Sequence, residues 1–480
     1  MHKRVVQMTQ TADFERLTRR QMLQTAGCGF GSLALHSLAT RVCAARNSLE
    51  PRLPHHAPRA KRAIFLFMAG GPSQADLFDP KPLITKKHGQ TVSAPVDDRQ
   101  IRVGVDRFLA MGPIASVRPR GESGMRISDL MPRLAAVADD LCLLRAMVTD
   151  NKAHAPATLQ FHTGTLAESL PSMGSWISYG LGTENEDLPS FLTIHPPSDV
   201  RTYGSSFLPA AHQGTPLDVP QSDATSAIKY LQDGDANSTT QRRRLNFLQR
   251  MNRRLLERVE SDAHMEGIIE SFELAFRMQT ETPSLVDLSN ETRQTLDLYG
   301  VGDKQADRNG RACLLARRLS EAGVRFVQVT IGGWDHHSGI RTALPNSAAS
   351  ADKPIAGLIT DLKRRGLLDE TLVLWSGEFG RSPWSQDLSG TSPLAEHGRE
   401  HQQESFCAWM AGGGVRAGLT YGATDDFGYR PVEGRVHLHD LHATVLHLLG
   451  LHHERLTHRH AGRDFRLTDV YGNVVTEILG

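Results

Sequence analysis

Val324-Arg325-Phe326-Val327-Gln328-Val329-Thr330-Ile331-Gly332-Gly333-Trp334-Asp335-His336-His337-Ser338 begins as a β-branched, apolar run without a breaker. It stops at a glycine pair and passes directly to a carboxylate and two imidazoles. The run predicts a strand over 324–331, ended by Gly332-Gly333. In α/β proteins ligands collect beyond the carboxyl ends of parallel strands. Asp and His together suit a divalent cation. Taken alone, the segment fits a polar loop capping the next helix equally well.

The same grammar repeats on both sides. A helix is predicted over about 307–322 and another near 352–365, followed by a strand at 371–375. Gly377-Glu378-Phe379-Gly380-Arg381-Ser382-Pro383 closes that strand. His397-Gly398-Arg399-Glu400-His401 precedes a strand at 405–411, and a last helix runs over 439–449 to Gly450. Upstream, Ala63 to Ala69 reads as a strand buried on both faces. Gly70-Gly71-Pro72 ends it, and Ser73 and Asp76 lie in the loop beyond. A helix is expected over 128–140, and strands over 141–147 and 189–195. His154-Ala155-Pro156-Ala157-Thr158 and Thr163-Gly164 follow the first of these strands. Residues 220–240 are polar, and 242–278 are strongly helical, with Leu245, Leu248, Met251, Leu255 and Val259 at three- and four-residue steps. This alternation predicts one doubly wound sheet.

Composition narrows the function. Lys+Arg 54 against Asp+Glu 53 leaves no basic footprint for nucleic acid. The chain holds 22 histidines, many after residue 330, which favours a metal or acid–base site there. The five cysteines are scattered and form no CxxC, so buried free thiols are expected at Cys142, Cys313 and Cys407. At the N-terminus, Thr18-Arg19-Arg20-Gln21-Met22-Leu23 resembles a twin-arginine export signal. An apolar run and Cys43-Ala44-Ala45 follow. Residues 1–45 are therefore expected to be an export signal, 46–62 a linker and 63–480 the functional domain. The protein is expected to be periplasmic or extracellular, touching a membrane only through an uncleaved signal. An amphipathic N-terminal helix is the alternative.

Three polar clusters, Asp335/His337, Glu378 and His397/His401, follow or lie between C-terminal strands. Carboxylates and imidazoles from several loops are the supply that metal-assisted ester hydrolysis needs. The competing reading makes Glu378 and Arg381 a structural ion pair and the histidines helix caps.

The order of these clusters resembles the alkaline phosphatase/sulfatase superfamily, as does the helix Asp440-Leu441-His442-Ala443-Thr444-Val445-Leu446-His447-Leu448-Leu449-Gly450. More closely, the chain resembles the exported sulfatase-like domain of unknown function 1501 family. The residues that carry this are the twin-arginine leader, Met68-Ala69-Gly70-Gly71-Pro72-Ser73, Phe78-Asp79-Pro80-Lys81, Gly333-Trp334-Asp335-His336-His337, Gly377 to Pro383 and His439 to Thr444. The resemblance implies an α/β fold with a mixed, mostly parallel sheet between helices and a helical insertion at about 220–300. It implies a divalent metal ion (Zn, Ca, Mn or Mg) held by residues among Asp76, Asp335, His337, Glu378, His397 and His401. His337 is preferred to His336, because the family pattern is Gly-Trp-Asp-x-His. It further implies a hydrolase of sulfate or phosphate esters, on a small molecule or a polysaccharide. A non-catalytic protein that binds an anionic glycan or a partner in the same cleft is the alternative.

The superfamily's pattern is broken in three places. His154 stands in the nucleophile's slot and Thr158 in the arginine's. Gly70-Gly71 replaces the paired aspartates, and Phe379 replaces a histidine after Glu378. Ser73 or Thr158 remain as hydroxyl nucleophiles, or water attacks directly. His154 is assigned as ligand or general acid, and Arg381 as the holder of the anion.

Overall fold

Strand β1 (Arg62–Met68) is buried at every position. Its side chains alternate between two cores, as the period of two requires. Ile64, Leu66 and Met68 join one hydrophobic cluster, and Ala63, Phe65 and Phe67 the other. Burying each large side chain contributes roughly 1.5–3 kcal/mol, so β1 is the spine on which both layers of helices are fixed. The structure, a computed structural model, describes residues 49–93, 107–219, 238–256, 263–387 and 392–480. The expected export signal, with Cys28 and Cys43, lies outside the described residues, as do most of the polar stretch 220–240 and Val259.

The sheet has nine strands. The others are β2 (Leu141–Val148), β3 (Phe191–Ile194), β4 (Thr215–Leu217), β5 (Phe326–Ile331) and β6 (Thr371–Ser376). A two-stranded ribbon outside the sheet is formed by β7 (Gly380–Ser385) and β8 (Arg399–Gln402). The sheet resumes with β9 (Phe406–Ala411), β10 (Thr420–Tyr421) and β11 (Val436–His437). The order is β10-β2-β9-β6-β1-β5-β3-β4, with β11 also paired to β2. β1 pairs in parallel with β5 and β6, and β3 with β5 and β4. β9 is antiparallel to both β6 and β2. Consequently β1, β2, β5 and β6 all point the same way, and their carboxyl ends share one edge. The fold is α/β, with a mixed, mostly parallel sheet between helices.

The helices used below are α1 (Gln74–Leu77), α2 (His154–Thr163), α3 (Ser238–Leu256), α4 (Ala263–Val286), α5 (Asp307–Glu321), α6 (Ile340–Arg364) and α7 (Leu438–Leu448). Helices α3 and α4 fall within 220–300, where a helical insertion is expected. α6 begins about three turns before its expected start, because Pro345 and Pro354 lie inside it rather than ending it. The expected helix over 128–140 is reduced to Pro132–Ala135 and a 3₁₀ turn. Ser128 instead ends a hairpin strand. Asp352 of α6 caps the short helix by accepting from the backbone N–H groups of Arg133 and Leu134. Cys142, Cys313 and Cys407 are buried free thiols. Residues 48–480 form one unit. Within it, the segment read as a linker lies along the body, hydrogen-bonded through Arg52, His55 and Arg59. Among the described residues no helix is long and apolar enough to cross a membrane.

A candidate metal centre at the carboxyl edge of the sheet

Four strand ends build the site. Gly70-Gly71 follows β1, His154 opens α2 after β2, Asp335 and His337 follow β5, and Glu378 follows β6. The β7–β8 ribbon adds Arg381 and His401, which are direct cross-strand partners. The loops after β1 and β5 touch backbone to backbone. Gly70 has φ +115°, and a Cβ on it would stand 2.5 Å from the Asp335 nitrogen. Only glycine permits that approach. Trp334, fully buried, pins the Asp335 loop to the core.

His154, Asp335, His337 and His401 each offer one ligand atom, and these atoms lie within 4.8 Å of one another. The Nε2 atoms of His337, His154 and His401 stand 2.9, 3.3 and 3.5 Å from the Asp335 carboxylate. The other ring nitrogen of each histidine is committed. Nδ1 of His154 contacts Glu378 Oε1 at 2.6 Å, Nδ1 of His401 contacts the Lys152 carbonyl at 2.6 Å, and Nδ1 of His337 contacts Gln386 Oε1. Carboxylate and carbonyl oxygens accept, so each Nδ1 donates. In the neutral ring, each Nε2 then carries a lone pair turned toward a carboxylate. The Nε2 atoms of His154 and His401 are buried without a hydrogen-bond partner. Lone pairs converging on a carboxylate repel one another until a cation stands among them. The donor set therefore fits a divalent cation, with outer partners that fix each imidazole.

Electrostatics support this. Burial pushes the Asp335 carboxyl up, but the hydrogen bond and charge of Arg381, 2.5 Å away, outweigh it and bring the pKa to about 2. Asp335 is thus an anion at any working pH. Burial lowers His401 to about 4, keeping it neutral and able to ligate. The hydrogen bond to Glu378 raises His154 despite its burial, so a proton and a cation compete there. Phe379 packs against the rings of His154 and His401, with centroids 4.9 and 4.4 Å away, and closes one wall.

The remaining sequence candidates lie elsewhere or act indirectly. Asp76 forms a fully buried two-pronged ion pair with Arg399, at 2.7 and 2.9 Å, and accepts from the Ile114 N–H and the Ser73 hydroxyl. Neither Asp76 nor Ser73 is brought to the cluster. His397 is spent between Ser385 Oγ at 2.9 Å and the Ser392 carbonyl at 3.0 Å. Glu378 contacts the cluster only through His154, and it accepts from the Gly70 N–H. Arg381 is fully buried and donates to the Gly70, Gly71 and Arg399 carbonyls as well as to Asp335, so it positions Asp335 rather than holding a substrate anion. His336 turns to Ser347 instead. Thr158 lies one helical turn beyond His154 on the same face of α2. The outer partners Gln386 and Lys152 escaped sequence reading. A side-chain amide in a polar loop and a backbone carbonyl leave no signature.

The protein family described as "Protein of unknown function (DUF1501)" matches residues 60–479. The chain belongs to that family. No curated protein matches this DUF1501 chain by sequence. In structure it is similar to the lipoteichoic acid synthase LtaP from Listeria monocytogenes, with a TM-score of 0.38 and 11% identity over 88% of this chain and 79% of that one. It is also similar to the PsFucS1 sulfatase from Pseudoalteromonas sp., with a TM-score of 0.35 and 12% identity over 82% and 68%. The alkaline phosphatase from the Antarctic bacterium TAB5 gives a TM-score of 0.32 and 11% identity over 82% and 99%. Likeness at this level carries no chemistry, so the functional reading rests on the DUF1501 chain's own side chains.

Proposed function

We propose that the protein is an exported, metal-dependent hydrolase of sulfate or phosphate esters. The observation that carries this reading is the convergence of three imidazole Nε2 atoms on Asp335, each with its Nδ1 held by an oxygen acceptor. Three nitrogens and one carboxylate oxygen suit zinc better than calcium or magnesium, which prefer all-oxygen shells. A cation bound there would polarise an ester oxygen and lower the pKa of water nearby.

The chain's own groups set the charge. Counted at formal charge, the two carboxylates Asp335 and Glu378 and the one guanidinium Arg381 sum to one net negative charge with neutral histidines. A divalent cation reverses this to one net positive charge, which favours an anionic ester. Arg381 keeps Asp335 ionised, Glu378 orients His154, and Phe379 screens the rings from water. Ser73 is committed to Asp76, so we assign the attack to water rather than to a serine. The twin-arginine-like leader supports export to the periplasm or beyond. A non-catalytic binding role has no observation of its own in its favour.

The test is metal analysis of the purified full chain, followed by turnover of aryl sulfates and aryl phosphates with zinc, manganese, magnesium and calcium added in turn. A protein that takes up no metal and turns over neither ester would sink the proposal. Replacing Arg19 and Arg20 together by lysine should block export, and unchanged export would remove the twin-arginine assignment.

A further inference from the structure

An open cavity of ≈ 670 Å³ is lined by Asp150, Arg435, His439, Glu454, Tyr471 and Asn473 among others, and Asp150 stands four residues along the chain from His154 of the candidate metal centre. It belongs to the same edge of the sheet. β11 runs parallel to β2, with His437 opposite Val148, and Asp150 follows the end of β2. The loop from Asp150 to His154 separates the two sites, and its Lys152 carbonyl holds the ligand His401. Four residues span at most roughly 14 Å even when fully extended. One elongated ligand can reach both.

The lining chemistry is specific. His439 is almost fully buried, and its Nε2–H donates to the Gly164 carbonyl, 2.9 Å away. Its Nδ1 is buried without a partner. Its ring stacks on Tyr471, with centroids 5.2 Å apart and planes 4° apart. Tyr471 remains 60% exposed. It projects from a turn in which Asp469 takes φ +49° and Gly472 φ +92°. The cavity thus offers a flat aromatic wall, carboxylates at Asp150 and Glu454, an amide at Asn473 and a guanidinium at Arg435. An aromatic face attracts the slightly positive C–H face of a saturated ring through its quadrupole. Carboxylates and amides accept and donate to hydroxyls. The Asp150 carboxylate is held by His437 Nε2 at 3.1 Å. The carboxylates of Asp150, Asp440 and Glu454 around the cavity oppose a sulfated or phosphorylated group there. Among the described residues, the one group of side chains placed to hold a metal ion is the other site.

We propose that this cavity binds a neutral sugar ring, the unit next to the esterified one in a glycan substrate. The position of that unit relative to the ester rests on the hydrolase reading, whereas binding itself does not. The test uses the full chain, stripped of metal, with cellotetraose, maltotetraose and chitotetraose as probes, read by saturation-transfer NMR and titration. At least one tetrasaccharide should bind. Tyr471→Ala should weaken it tenfold or more, Tyr471→Trp should keep it, and Asp335→Ala should leave it unchanged. Circular dichroism checks that each variant is folded. Binding that persists in Asp335→Ala, with no esterase activity in the parent, upholds the sugar site while the hydrolase reading fails. Binding of none of the three probes, or binding indifferent to Tyr471→Ala, overturns the inference.

Discussion

Arg381 and His401 face each other across the β7–β8 ribbon, and both reach Asp335, the guanidinium at 2.5 Å and the imidazole Nε2 at 3.5 Å. One cross-strand pair therefore delivers a candidate metal ligand together with the cation that keeps the shared carboxylate ionised. Removing the guanidinium should act on both. Arg381→Met leaves the buried Gly70 and Gly71 carbonyls without their donor, at roughly 1–3 kcal/mol for each group left unsatisfied, and leaves the half-exposed Asp335 to water. Arg381→Lys should not restore these contacts, because an ammonium lacks the planar fork that spans those acceptors. Thermal unfolding and metal content should fall together in both variants. Wild-type metal content in Arg381→Met would refute the coupling.

Glu378 tests the outer partners. It is buried, touches no other member of the cluster, and orients His154 through Nδ1. Loss of such an outer hydrogen bond costs 10–100-fold in metal affinity. Glu378→Ala should weaken the metal by about that factor in a chelator competition, whereas Glu378→Gln, which can still accept from His154, should lose less. Equal losses in both variants would mean that charge rather than orientation is what Glu378 supplies.

Asp76 separates stability from ligation. It and Arg399 are both fully buried, and truncating one leaves the other's charge uncompensated. Asp76→Ala should destabilise the protein by about 3–5 kcal/mol, yet the folded fraction should keep its metal stoichiometry. A metal-free but stable Asp76→Ala protein would return Asp76 to the ligand set.

The strands and the centre of the site were legible because their signals are local. Val324 to Ile331 is apolar and unbroken, and the ligand loop follows it without a gap. His337 over His336 was readable from the family pattern, and the structure turns His336 to Ser347. Asp76 and His397 carry the right functional groups in promising loops. Their pairing to Arg399 and Ser385 spans 323 and 12 residues, and no local pattern announces such partners. The short helix at Pro132–Ala135 was overcalled for the same reason, since the Asp352 cap that fixes its start comes from 218 residues away in α6.

Thr158 bears on how the ester is attacked. If water attacks, Thr158→Ala should change kcat on an aryl ester by less than about tenfold, with metal content unchanged. Loss of a nucleophile instead removes most of the rate enhancement. A thousandfold fall in kcat with full metal loading would make the threonine hydroxyl the attacking group.

The buried histidines away from the metal give the fold an acid limit. Burial lowers His162 to about 4, and His212 and His442 to about 3. Each is neutral in the folded chain, whereas in the unfolded chain it titrates near 6.5. Between these values the unfolded state binds more protons, so stability rises with pH there, is fully present above about 6.5 and is lost as pH falls toward 4. Each such group contributes up to about 1.4 kcal/mol per pH unit. Urea midpoints of metal-stripped protein should therefore drop steeply from pH 6.5 to pH 4.5. His442→Gln keeps a donor for the Phe161 carbonyl, which His442 Nε2 contacts at 2.8 Å, and removes one titrating ring. Its midpoints should fall less steeply over the same interval, and a slope equal to that of the parent would show that His442 is not one of the groups setting the acid limit.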